Sequence, residues 1–189
     1  MRKIAAFFFF IVTAVGLGAQ TLSWDIKFLK GREQESLPIS RTIRMETGEI
    51  FQISIAPVSD CYCYVVCYDS QRHIIVLYDQ SLKGGYELFL DPVELKSPRG
   101  TETLYVIMSL ERKTVLENLI QNHRSNPGSR QYSDNLYREV VRLQNEASGL
   151  GEPTSAFIAS GGTTRGNAEG QVTRFADKAL YVRAIAIRH

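Results

Sequence analysis

Cys61-Tyr62-Cys63-Tyr64-Val65-Val66-Cys67-Tyr68, continued by Asp69-Ser70-Gln71-Arg72 and His73-Ile74-Ile75-Val76-Leu77-Tyr78, sets the architecture of the chain. Small or apolar residues occupy positions 61, 63, 65 and 67, and aromatics occupy 62, 64 and 68. An extended segment with this pattern is apolar on both faces, so it is expected inside a sheet that is covered on both sides. Asp69 to Arg72 carries turn chemistry, and a hairpin is the simplest way to join the two runs.

The same period of two extends in both directions. Upstream, Trp24, Ile26 and Phe28 alternate with Asp25 and Lys27, and Ile53 and Ile55 lie on a second strand entered through Thr47-Gly48-Glu49 and closed by Pro57-Val58-Ser59-Asp60. Gly31 to Ser36 reads as a charged loop. Downstream, Tyr86, Leu88 and Leu90 suggest a short strand limited by Pro92, and Ser97-Pro98-Arg99-Gly100 a turn before a strand at Thr103 to Leu110. The period then becomes helical. Val115, Leu116, Leu119 and Ile120 share one face, stopped by Asn126-Pro127-Gly128, and a second helix is expected to start at Ser133 and to carry Leu136, Val140, Leu143 and Ala147 on one stripe. Phe157 to Ala159 and Ala179 to Ile187 return to strand chemistry, the last strand closing the sheet. The expected fold is mainly β within the α+β class: an antiparallel β-sandwich with a two-helix insertion near residues 111–149.

The segment from Met45 to Ser109 resembles the bacterial family called domain of unknown function 4384. The likeness rests on Thr47-Gly48-Glu49 before alternating Ile50, Phe51, Ile53 and Ile55, then on the aromatic strand Cys61 to Asp69, Val76-Leu77-Tyr78 and Gly84-Gly85. It continues through Ser97-Pro98-Arg99-Gly100-Thr101-Glu102 and Thr103-Leu104-Tyr105-Val106-Ile107. Where that family tends to have a hairpin glycine, this chain has Gln71-Arg72. The resemblance implies an exported, often envelope-associated module, and it transfers no functional residue.

Residues 1–19 read as an export signal, with Arg2 and Lys3 before an apolar run from Ile4 to Val15, and Gly16-Leu17-Gly18-Ala19 supplying small residues for cleavage. The run is shorter than the roughly 20 residues of a spanning helix, which favours removal over a retained anchor. One domain, residues 20–189, is expected to follow, with a periplasmic or otherwise exported location and no transmembrane segment in the mature chain. The whole chain has 22 basic and 20 acidic residues, and two of the basic ones lie in the leader. The remainder is balanced and carries no general electrostatic footprint for nucleic acid.

Chemistry-bearing residues are sparse. Cys61, Cys63 and Cys67 are separated by even steps, about 6 to 7 Å or more along a strand, too far to pair with one another. Three thiols without a fourth ligand make a poor zinc site, so buried packing is the plain expectation, with a redox role or an intermolecular disulfide as alternatives. His73, His123 and His189 lack nucleophile-elbow or metal-ligand spacing and read as surface or capping residues. Tyr62, Tyr64, Tyr68, Tyr86 and Tyr105 suit core packing better than a recognition face. No cofactor motif is present. The one suggestive loop is Ser160-Gly161-Gly162-Thr163-Thr164-Arg165-Gly166, in which glycines let backbone amides approach an anion and Arg165 adds charge. Gly161, Gly162, Thr163, Thr164 and Arg165 are therefore the candidate ligand-binding residues, beside a local basic excess over residues 165–189. The expected function is that of an exported, noncatalytic envelope module for binding or assembly, its partner an envelope protein or a glycan. The alternatives are a small secreted hydrolase or redox protein built on His73, Asp69 and a serine or cysteine, and a structural subunit that pairs through a strand edge.

Overall fold

Strand β1 (Leu22–Lys30) buries Leu22, Trp24, Ile26 and Phe28 and turns Ser23, Asp25 and Lys27 outward, as the alternation requires. It lies in a computed structural model that describes residues 21–39, 42–149, 154–159 and 171–189. The expected export signal at 1–19 and the candidate ligand-binding residues Gly161 to Arg165 lie outside these residues. The described elements continue as β2 (Glu35–Leu37), β3 (Thr42–Arg44), β4 (Ile50–Pro57), β5 (Cys61–Tyr68), β6 (Ile74–Leu82), β7 (Leu88–Phe89), β8 (Val93–Glu94) and β9 (Thr101–Ser109). After them come α1 (Thr114–Ser125), α2 (Arg130–Gly149), β10 (Thr154–Ala159), β11 (Gln171–Lys178) and β12 (Leu180–Arg188).

Two sheets form. In one, the order is β10-β11-β1-β4-β7, with β2 also on β1 and β8 also on β4; in the other it is β3-β12-β9-β5-β6. All pairings are antiparallel except β3 with β12. The mainly β sandwich is as expected, and the helices give it a third layer.

The double-sided apolar character of β5 is explained by that layering. Cys61, Cys63, Val65 and Cys67 face the other sheet and pack with Trp24, Phe28, Phe51, Ile53, Leu104, Met108 and Ile185. Tyr64 and Val66 face the opposite way, against Leu116 and Ile120 of α1 and Leu136, Val140 and Leu143 of α2. Stacking of Trp24 on Phe175 (4.9 Å between centroids) and of Phe28 on Phe51 (5.1 Å) adds contact specificity to the inter-sheet core.

Several details differ from the sequence reading. Glu35 to Leu37 forms a short strand rather than loop, because it meets the free side of β1 at Phe28 to Lys30, beyond the reach of β11. The second helix begins at Arg130, one turn before Ser133, whose hydroxyl bonds back to the Ser129 carbonyl at 3.2 Å instead of capping the helix. Strand β12 does not close its sheet but lies inside it, between β9 and β3. The β5–β6 hairpin forms as expected, with Arg72 in the left-handed region (φ 68°), a conformation glycine adopts more readily. Leu77 is the extra residue of a bulge, since Val65 faces Tyr78 while Val66 faces Val76.

Candidate functional site

The residues proposed for hydrolytic or redox chemistry are held in structural roles. Asp69 accepts the backbone N–H groups of Gln71 (2.9 Å) and His73 (2.7 Å), which fixes the hairpin turn, and its second oxygen lies 3.0 Å from His73 Nδ1. The three thiols are buried and unpaired. Burial, with the nearby Asp60 carboxylate, pushes the Cys61 thiol up to about 11; burial, with the Glu102 carboxylate, pushes Cys67 up to about 12; and Cys63 is raised well above the usual thiol range by burial. Such thiols are poor nucleophiles and poor metal ligands near neutral pH, because the thiolate is the reactive form. Among the described residues, no group of three or more His, Cys, Asp or Glu side chains is disposed to hold a metal ion.

His123 and His189 are more deeply engaged than the sequence suggested. His123 Nε2 lies 3.1 Å from the Ile74 carbonyl oxygen and its Nδ1 lies 3.4 Å from Ser133 Oγ, so the ring ties α1 to β6 and α2. His189, read as a surface residue, has a fully buried side chain. Its Nδ1 is 3.2 Å from Thr47 Oγ1, its Nε2 is 3.5 Å from Glu102 Oε1, and its backbone exchanges two 3.0 Å hydrogen bonds with Gly100. Glu102 is raised above the ordinary carboxyl range because burial outweighs the lowering effect of His189.

Immediately beside this buried pair is an open cleft of about 790 Å³ at one end of the sandwich. Arg44, Arg99 and Arg188 line it together with Met45, Gly100, Thr101 and His189. The fold brings the arginines from three places. Arg44 ends β3, Arg188 ends β12, and Arg99 lies in the turn before β9. Gly100 packs so closely against Ser70 of the hairpin that a side chain there would collide with it, which seats the Arg99–Thr101 turn on the hairpin tip. None of the three arginines makes an ion pair with a described residue, whereas Arg112, Arg124, Arg142 and Arg174 each do.

The sequence reading missed this cleft. Its arginines are scattered along the chain, and only the parallel pairing of β3 with β12 makes two of them neighbours. The available signal was the local basic excess that includes Arg188, but nothing in the spacing pointed to Arg44. Strands β10 and β11, which flank residues 160–170, end at Ala159 and Gln171. Their antiparallel register puts those ends toward the C-terminal end of β1 and the N-terminal end of β4, next to Thr47, and so at the cleft's end of the sandwich. Comparison with protein-family models, with curated proteins and with solved structures returned no match.

Proposed function

We propose that the chain is an exported, noncatalytic module of the bacterial envelope that binds an acidic component through the strand-end face containing the Arg44–Arg99–Arg188 cleft. The observation that carries this reading is the gathering of three arginines that make no ion pair with a described residue, in a chain whose residues 20–189 carry no net excess of basic over acidic side chains. Unpaired guanidinium groups in a cleft attract anions and hold them with charge-assisted hydrogen bonds. The apolar leader at residues 1–19 and the resemblance of Met45 to Ser109 to domain of unknown function 4384 support the envelope location. No helix among the described residues is long and apolar enough to cross a membrane. Gly161 to Arg165 enter the proposal from their sequence alone, as candidate anion-binding residues.

Affinity capture from an envelope extract tests the reading. The unaltered chain should retain an acidic component that Arg99→Ala/Arg188→Ala loses while circular dichroism stays the same, and Arg165→Ala should weaken recovery. Raising salt from about 50 to about 500 mM should release the component, because exposed charge interactions are screened over a few ångströms at high ionic strength. Equal, salt-insensitive recovery by all forms would overturn the proposal.

A further inference from the structure

We infer that the group recognised in the cleft is a phosphate monoester, an inference that rests on the cleft being the binding site proposed above. In the β3–β12 register Arg44 is directly beside Arg188, and on the other side of β12 Arg188 faces Thr101 of β9. Cross-strand neighbours share a face, so these three side chains form one row. Ile43 and Ile187, the preceding residues, are buried between the sheets, which directs Arg44 and Arg188 to the outer face. The helices cover that face at Tyr105, Ile107, Val182 and Ala184, so they pack on it short of the Arg44–Arg188–Thr101 row.

Adjacent strands are about 4.8 Å apart, and like charges directly opposite one another are destabilising. The fold accepts that juxtaposition at Arg44 and Arg188 with no Asp or Glu among the described residues lining the cleft, and adds Arg99 from the neighbouring turn. Among the described residues, no lysine lines the cleft. The guanidinium is a planar fork suited to two oxygens of one group, so the composition favours an oxyanion with several oxygens over a diffuse negative surface.

The number of forks separates the possible anions. A carboxylate has two oxygens and one charge and satisfies one fork, leaving at least one of the adjacent cations uncompensated. A phosphodiester likewise has two free oxygens and one charge. A phosphate monoester has three free oxygens and approaches two negative charges above its second ionisation, near pH 6. It can bridge Arg44 and Arg188 and still present an oxygen edge to Arg99, with the Thr101 hydroxyl as an additional donor. Binding then removes the repulsion that the empty arrangement carries.

Isothermal titration of the purified chain at about pH 7.5 and low salt, with methyl phosphate, dimethyl phosphate and acetate as probes, tests the inference. Methyl phosphate should bind at least about tenfold more tightly than either singly charged probe, the scale of one charge-assisted hydrogen bond. Arg188→Ala and Arg99→Ala should each remove about that factor, and Arg188→Lys, which keeps the charge and loses the fork, should remove part of it. Lys27→Ala, on the other sheet and paired with Glu87, should leave binding unchanged. Equal affinity for the three probes, still dependent on Arg99 and Arg188, would overturn the phosphate assignment and leave the cleft as an anion site. Binding indifferent to all three arginine substitutions would overturn both.

Discussion

Tyr64 shows how one hydroxyl can hold two layers together. Its side chain is fully buried under the helices, where the hydroxyl donates to Glu117 Oε1 at 2.8 Å and accepts the Lys113 backbone N–H at 3.0 Å. Lys113 is the residue that enters α1 and offers no side-chain cap of its own, so the tyrosine supplies the anchor. Tyr64→Phe keeps the packing and leaves the Lys113 backbone N–H and one Glu117 oxygen without this partner, while the other Glu117 oxygen stays paired with Arg112. The expected loss is about 1–3 kcal/mol in urea unfolding, whereas Tyr86→Phe, on a largely exposed ring, should change nothing measurable. Glu102 acts in the opposite sense. Its carboxyl is raised by burial, so the native state favours the protonated form; the associated stability is complete below the ordinary carboxyl range and is lost as pH rises through the elevated value. Glu102→Gln keeps an acceptor for the Cys67 thiol and removes that titration, and it should raise the melting temperature at pH 7 more than at pH 4. No such gain would mean that the carboxylate is better compensated by His189 than its burial implies.

Among the elements, strands and helices were legible to different depths. Period two in β1, β4, β5 and β12 gave the strands and their buried faces, because alternation on a half-buried sheet leaves a direct trace in sequence. The aromatic positions of β5 announced cover on both sides, and the stripe Leu136, Val140, Leu143 supplied that cover. Pairing order was not legible. β7 falls within the short strand that Tyr86, Leu88 and Leu90 suggest, whereas β2 and β8, with three and two residues, exist because longer neighbours offer free edges, a tertiary effect with no local pattern. The start of α2 was misplaced because a serine inside a first turn and a serine at a cap look alike in sequence. The cleft escaped for the same reason as the small strands, since Arg44 meets Arg188 only through pairing. The helical layer offers a direct test of its contribution: Leu143→Ala, at a fully buried position facing the sheet, should cost about 2–5 kcal/mol, whereas Val115→Ala, on the exposed side of α1, should stay within about 0.5 kcal/mol. Comparable losses at both sites, measured by denaturant titration, would contradict the three-layer packing.

For the molecule as a whole, the thiols between the sheets set an alkaline limit. Cys61, Cys63 and Cys67 lie on one face of β5 within the inter-sheet core, and each is raised, chiefly by burial, so the folded protein keeps its protons where the unfolded chain releases them. An unfolded thiol titrates near about pH 8.5. Below that pH both states are protonated and the contribution to stability is complete. Above it the unfolded state binds fewer protons, so unfolding becomes more favourable until the native thiols also ionise, about pH 11 for Cys61 and about pH 12 for Cys67. Each of the two deeper thiols, Cys63 and Cys67, adds about 1.4 kcal/mol per pH unit to the decline once its unfolded form has titrated. Unfolding free energy should therefore be nearly flat in this respect up to about pH 8 and fall steadily toward pH 11. Cys63→Ala separates this effect from packing, because it should lower stability at pH 7 by leaving a small cavity and yet flatten the slope above pH 9. The same burial predicts that iodoacetamide at pH 8 labels none of the three in the native protein and all three in denaturant, read by mass spectrometry. Rapid native labelling of any one would place that thiol outside the inter-sheet core and remove its share of the alkaline slope.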